Sequence, residues 1–275
     1  MSNYFANKVI WITGASSGIG EALALALAQE NTCLVLSARR EEELSRVAKM
    51  CQEKKAETLV LPMDLSSFDT FEACTQLVLE TFKRIDILIL NAGISGYGRV
   101  VKVPFWAEQE LFNVNFLSTI ALTKAVLPSM LDNKKGQIIA IASALAYIEY
   151  PERAPYAASK HAMLGYFHSL GFEVEGHGLH VGVVCPGFVK TSLGKKAFNE
   201  QGKPCNVENP GQKEGLAVDV CAQKIIKSIK KRKREVYIGR YEPWVIRLRR
   251  HFPRVYFSML SFIWRHWQKK LKEKI

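Results

Sequence analysis

The sequence predicts an α/β fold. It should be a doubly wound, mostly seven-stranded parallel sheet with helices on both faces, in a single domain that carries a basic, aromatic C-terminal helical tail. Three observations predict this. Short runs rich in Val, Ile and Leu recur as far as Gly239, with helical patterns between the early ones. These runs do not alternate apolar with polar residues, which suits strands covered on both faces. A glycine-rich turn joins the first strand to the first helix. Strand–helix alternation implies right-handed crossovers between parallel strands.

The elements follow in order. KVIWITGA from Lys8 reads as a buried strand and EALALALAQE from Glu21 as a helix packed on it. CLVLSARR from Cys33 is a second strand, followed by a polar helix from Glu41 to Glu53. TLVLPMDL from Thr58 is a third, with a helix from Phe68 to Phe82 after it. IDILILNAG, QIIAIASA, HVGVVCPG and EVYIG supply the fourth to seventh strands. The segment from Gly194 to Gly215 breaks the rhythm with Gly, Lys, Asn and Pro. It follows a strand end, where open α/β sheets bind ligands, and reads either as a surface loop or as a lid over a site.

Bulk properties narrow the class. The 275 residues are 48% hydrophobic and 23% charged, values of a globular chain large enough for a real core. Cys33, Cys51, Cys74, Cys185, Cys205 and Cys221 form no C-x-x-C pair and read as reduced thiols of a cytoplasmic protein. The N-terminus lacks the features of a signal peptide, and no uncharged apolar run nears the ~18 residues of a membrane span. No spacing suggests a metal site. The net charge of +12 is concentrated: 16 of the 38 Lys and Arg, but only three of the 26 Asp and Glu, lie between Lys227 and Ile275. The rest of the chain is close to neutral, so the basicity belongs to the tail.

TGASSGIG, residues 13–20, is the nucleotide end. Glycines at 14, 18 and 20 let the backbone turn tightly beside a pyrophosphate, and the following helix aims free N–H groups at that anion. The second strand ends in SARR. An acidic residue there would bond a ribose 2′-hydroxyl, whereas Arg39 and Arg40 offer planar forks to a 2′-phosphate. The expected cofactor is NADP(H).

Further along, YAASK places Tyr156 and Lys160 on one helical face. A free tyrosine has a pKa near ~10 and exchanges protons poorly at neutral pH. A lysine ammonium one turn away favours the phenolate and lowers that value. A lone Tyr-x-x-x-Lys is mostly an accident of packing; here its company makes it a catalytic candidate. His161 points away from Lys160 on a helix and reads as a packing or surface residue.

Taken together, these residues resemble the short-chain dehydrogenase/reductase family, whose fold is Rossmann-type. TGASSGIG matches its cofactor motif, NAG at Asn91 the motif after its fourth strand, and NVNF its asparagine motif. Ser143, YAASK and PGFVKT from Pro186 complete the series in family order. The resemblance implies an oxidoreductase that interconverts a carbonyl and a secondary alcohol, with Asn115, Ser143, Tyr156 and Lys160 as catalytic residues. It also implies that Gly14, Ser16, Ser17, Gly18, Ile19 and Gly20 line the pyrophosphate and adjoining ribose. Asp64 and Leu65 would border the adenine, Asn91, Ala92 and Gly93 would lie along the cofactor, and Pro186, Val189 and Thr191 would hold its nicotinamide end. Tyr156 and Lys160 would touch the cofactor too, and Asn115 would anchor a water near Lys160. The implied assembly is a homodimer or homotetramer. Ala142 and Ala146 depart from a common serine and glycine, which bears on pocket shape. The alternative is a protein of the same fold that senses NADP(H) at a membrane or nucleic acid without turnover.

The expected division is a catalytic domain over residues 1–240 and a basic amphipathic extension over 241–275. After Pro253 apolar residues recur at Val255, Tyr256, Met259, Leu260, Ile263, Trp264, Trp267 and Leu271 with helical spacing. Such a helix docks on its own domain or a sister subunit, or lies on an anionic membrane surface. KKRKR from Lys230 offers nucleic acid a charge but no recognised fold. Tyr97, Phe105, Tyr147 and Tyr150 hint at a bulky apolar substrate of steroid, retinoid or acyl type.

Overall fold

The computed structural model describes residues 4–195, 197–206 and 210–272. The seven apolar runs form one parallel sheet in the order β3-β2-β1-β4-β5-β6-β7. The strands are β1 Val9–Thr13, β2 Cys33–Ala38, β3 Glu57–Pro62, β4 Ile87–Leu90, β5 Gly136–Ile141, β6 Leu179–Pro186 and β7 Glu235–Ile238. Trp11 at the centre of β1 pairs with Val35 of β2 on one side and Leu88 of β4 on the other. The chain winds outward from β1 through β3, then returns to lay β4 against β1's free edge. That reversal opens a crevice at the strand ends between β1 and β4.

Side chains of one strand point alternately to opposite faces, and β1 shows both destinations. Ile10 and Ile12 enter a core shared with α1 (Gly18–Leu27), α2 (Glu41–Gln52) and α8 (Val218–Lys230). Val9 and Trp11 enter the other core, with α3 (Phe71–Phe82), α5 (Ser118–Asp132) and α6 (Ala154–Glu173). The Trp11 indole donates to Ser37 Oγ at 2.8 Å, so a residue of β2 is fixed by its neighbour strand.

One helical stretch, Phe105–Asp132, is long and apolar enough by composition to cross a membrane. It belongs instead to the layer over the sheet, packed against α3 and α6. It comprises α4 (Phe105–Phe112), a π-turn at Asn113–Leu117, and α5. A π-turn shifts the helix register by one residue and commonly marks a functional position. Here it carries Asn115, which is fully buried.

The segment after β6 does not stand away from the domain. Tyr97 N donates to Phe198 O and Phe198 N to Ser95 O, at 2.7 and 2.8 Å. These bonds lay residues 95–97 against Phe198, and a short helix α7 (Pro210–Lys213) follows. Lys196 and residues 207–209 of this segment lie outside the described residues.

Beyond β7 the chain forms α9 (Glu242–His251) and α10 (Pro253–Lys272), so the extension holds two helices rather than the one read from the spacing. Pro253 starts α10 where a missing N–H costs nothing. Glu242 is only 4% exposed. Its carboxylate accepts from the backbone N–H groups of Phe188 and Arg240, at 2.6 and 2.9 Å. Tyr256 is buried and donates to the carbonyl of Glu149 at 2.8 Å, while Arg249 grips the Glu149 carboxylate at 2.9 and 3.0 Å. Of the readings the spacing left open, docking on its own domain is what the helix does along this edge. Outward, Trp244 is 68% and Phe262 72% exposed, and Val255 and Phe257 are exposed as well. The side chains of Trp267 and Leu271, the last of the stripe, lie outside the described residues. KKRKR ends α8 and turns into β7, with Arg234 paired to Glu175 and Arg232 bonded to Gly178 O.

Candidate active site

A cleft of about 820 Å³ runs along the carboxyl ends of the strands and continues under α10. Its nucleotide end is built by close approach of two backbones. Gly14 has φ +67°, and a Cβ there would stand 2.8 Å from the Cα of Ala92. Only glycine takes both that conformation and that approach without strain. Thr13 Oγ1 accepts from the N–H groups of Asn91 and Ala92, and Asn91 Nδ2 donates to Thr13 O at 2.9 Å. The glycine turn and the NAG stretch are thereby clasped across β1 and β4.

Gly14, Ser16, Ser17, Gly18 and Ile19 line this end; Gly20 does not. A Cβ on Gly20 would sit 2.2 Å from Gly14 O, so its glycine serves the tight strand–helix turn from behind. Arg39 and Arg40 project exposed from the end of β2, and Arg40 Nη2 reaches Ser16 Oγ at 3.3 Å. Asp64 and Leu65 border the same end. Hydrogen bonds from the Ser66 N–H and hydroxyl hold the Asp64 carboxyl below its usual range. A turn of free N–H groups, a narrow backbone gap and two arginines fit a dinucleotide in this trough.

Asn91, Ala92, Gly93, Pro186, Val189 and Thr191 lie along the middle of the cleft. Ser143, Tyr156 and Lys160 meet there, brought together by the end of β5 and the first two turns of α6. Ser143 Oγ caps a short turn by accepting from Leu145 N at 3.2 Å. Burial pushes the Tyr156 phenol above its ordinary value; Arg153 and a hydrogen bond with Ser143 pull it back. Lys160 Nζ donates to Ile141 O at 3.1 Å, and burial lowers its pKa to about 8. The cation stacked on Tyr156 is Arg153, 4.6 Å from the ring centroid.

Asn115 does not line the cleft. Its Oδ1 accepts from Ile94 N at 2.8 Å, and its Nδ2 donates to Ile94 O and to Ser159 Oγ. The carboxamide therefore bends the loop after NAG and pins α6. One lone pair of Oδ1 is left for the water expected beside Lys160. Ser159, read only as a small spacer, is fully buried and is the partner that couples the π-turn to α6. His161 is exposed and bonds only its own helix, at Ala157 O.

The substrate end is walled by Leu145, Ile148, Tyr150, Phe188, Leu193 and Phe198, and roofed by Val245, Tyr256, Met259, Leu260 and Ile263. Of the four aromatic residues expected here, Tyr97 and Tyr150 line the wall. Phe105 is the exposed first residue of α4, and Tyr147 turns away to bond Glu235. Arg153 and Glu149 were not anticipated from the sequence, whereas the roof follows one of the readings of the C-terminal helix. A basic residue three positions before the tyrosine was the available signal for the first.

Such a fold and cleft define a nicotinamide-nucleotide oxidoreductase. The sequence profile described as short chain dehydrogenase matches residues 8–202, and the chain belongs to the short-chain dehydrogenase/reductase family. Among its relatives is the human "Dehydrogenase/reductase SDR family member 7", 37% identical over 85% of this chain and 70% of that protein. The Anopheles gambiae "Dehydrogenase/reductase SDR family protein 7-like" is 36% identical over 92% of this chain and 82% of that protein. A short chain dehydrogenase/reductase from Burkholderia phymatum, solved with NAD, shares the fold. It has a TM-score of 0.82 and 24% identity, over 92% of this chain and 96% of that one. An alcohol dehydrogenase from Thermococcus sibiricus, solved with 5-hydroxy-NADP, gives a TM-score of 0.72 and 28% identity. It covers 84% of this chain and 96% of its own.

Burial of Lys160 has a consequence for stability. Its folded-state pKa of about 8 lies below the usual 10.5, so the buried ammonium costs stability in full below pH 8. That cost is relieved as pH rises from about 8 to 10.5. Lys160→Met is expected to raise the melting temperature at pH 7 by ~3–6 °C. The gain should shrink across that window. Melting curves at pH 7, 9 and 10 check this. No gain at pH 7, or an undiminished one at pH 10, contradicts it.

Proposed function

We propose that this protein is an NADP(H)-dependent oxidoreductase that interconverts a carbonyl and a secondary alcohol on an apolar substrate of steroid, retinoid or acyl type. The observation that carries the reading is the meeting of Ser143, Tyr156 and Lys160 midway along the cleft, between a nucleotide trough and an apolar pocket. Bound in that trough, the nicotinamide supplies the hydride. Ser143 donates a hydrogen bond to the substrate oxygen. Tyr156 gives that oxygen its proton in reduction and takes it back in oxidation. Lys160, with three donors, bonds ribose hydroxyls and brings a positive charge to the Tyr156 side of the site. Asn115 positions α6 and the loop after NAG. Arg39 and Arg40 support NADP(H) because they follow β2 directly and the strand before them holds no acid. Residues 1–240 then act as the catalytic domain and 241–275 as its roof.

The outer face of that roof adds a location. Its exposed Trp244, Val255, Phe257 and Phe262, beside Arg247, Arg254 and Arg265, suit an anionic bilayer surface. A roof of this kind would take an apolar substrate from the lipid it rests on.

Three outcomes are expected. Tyr156→Phe should lower turnover by ~10²–10⁴-fold across a panel of carbonyl compounds while NADPH binding, followed by fluorescence, persists. Retained turnover would remove Tyr156 from the chemistry. NADPH should be preferred to NADH by about tenfold or more in kcat/KM, and the double substitution Arg39→Ala, Arg40→Ala should erode the preference. An NADH preference would overturn the role of these arginines. Finally, the full chain should float with phosphatidylserine-containing vesicles at low salt, and Phe257→Glu with Phe262→Glu should leave it in solution. If the unaltered protein stays in solution, the membrane reading fails.

A further inference from the structure

Arg153 is a cleft residue whose chemistry the reaction above leaves unused. It is 7% exposed and lines the cleft beside Tyr156. Its guanidinium lies over two rings, 3.9 Å from the centroid of Tyr97 and 4.6 Å from that of Tyr156. Nη2 donates to Ser95 Oγ at 2.9 Å. Nε and Nη1 are buried without a hydrogen-bond partner among the described residues.

A buried guanidinium with two unpartnered nitrogens is costly, and a carboxylate is the group that offsets the cost most fully. Among the described residues, the chain's own carboxylates nearby are engaged elsewhere. Glu149 is held by Arg249, Glu152 lies 3.8 Å from Arg99, and Glu242 accepts backbone N–H groups. The guanidinium lies over both rings, and Arg153 lines the cleft with two nitrogens that have no partner among the described residues. Stacking on aromatic faces leaves an arginine's in-plane donors available.

We infer that Arg153 binds a carboxylate of the substrate, so that this cleft takes a hydroxy or oxo carboxylic acid with an apolar chain. The guanidinium lies over the ring of the tyrosine that moves the proton. A carboxylate paired with it therefore lies on the same side of the site as the reacting carbon, and a 3-hydroxy or 3-oxo acid carries the two groups close together. The chain then runs along Ile148, Phe198 and the roof residues Met259 and Ile263. The inference rests on the carbonyl–alcohol reading of the same cleft and names its substrate class.

The test compares racemic 3-hydroxyoctanoate with its methyl ester, oxidised with NADP⁺ by the unaltered protein, Arg153→Lys and Arg153→Met. The ester keeps the carbonyl oxygens and loses the charge. The unaltered protein is expected to favour the acid by about 30-fold in kcat/KM, Arg153→Lys by less, and Arg153→Met to bring the ratio near one. A ratio near one in the unaltered protein overturns the inference. So does a ratio that persists in Arg153→Met, the pattern of a group acting on the Tyr156 proton or on folding alone. Thermal shift of the NADP⁺-loaded proteins separates the inference from the reaction it rests on. If neither compound turns over, but the acid and not the ester stabilises the unaltered protein and not Arg153→Met, the carboxylate site stands and the carbonyl chemistry falls. If the acid stabilises neither protein, or both alike, the site falls.

Discussion

The structure depends on one constraint: every strand of the sheet runs the same way. Parallel strands can be joined only by crossovers that return over a face, so all carboxyl ends gather on one edge. The winding reverses at β1, and the edge opens there into a crevice. Each group discussed above stands at the end of a strand or on the segment that leaves it. The glycine turn follows β1, the two arginines end β2, Asp64 follows β3, NAG follows β4, Ser143 follows β5 and Pro186 ends β6. The clasp of Thr13 with Asn91 and Ala92 closes the crevice floor at the reversal itself.

On that floor the site concentrates buried positive charge. Lys160 and Arg153 are both withdrawn from water, and among the described residues neither pairs with a carboxylate. Burial of this kind is tolerated because carbonyl oxygens, ring faces and bound ligands replace part of the lost hydration. The two cations differ in position. Lys160 sits a helical turn beyond the tyrosine, with its ammonium on the Ile141 carbonyl. Arg153 sits ahead of the tyrosine and lines the cleft with unspent donors. The Asn115–Ser159 bond holds α6 at the angle that lets both reach the cleft.

The C-terminal extension completes the pocket from outside the sheet. Glu242 fixes its start by collecting backbone donors, and Glu149 holds it again through Arg249 and Tyr256. Between these anchors the inner residues of α9 and α10 roof the apolar end of the cleft, and the outer ones remain uncovered. One amphipathic segment thus presents two different apolar faces, one to the cleft and one outward.

The sequence by itself determined the sheet, because non-alternating apolar runs between helical patterns admit few other folds. It also determined the nucleotide trough and the Tyr156–Lys160 pair, because glycine spacing and an i,i+4 interval are local properties that a linear reading captures. All the predicted site residues except Gly20 and Asn115 line the cleft. Both exceptions hold other residues in place, a role visible only once neighbours in space are known. What tertiary structure alone decided is everything that depends on contacts between distant segments. The π-turn at Asn115, the anchoring of the roof to Glu149, the outward turn of Tyr147 and the orphaned nitrogens of Arg153 leave no periodic trace. A side chain's partners are set by packing between segments far apart in sequence, and a linear pattern records only the neighbours along the chain.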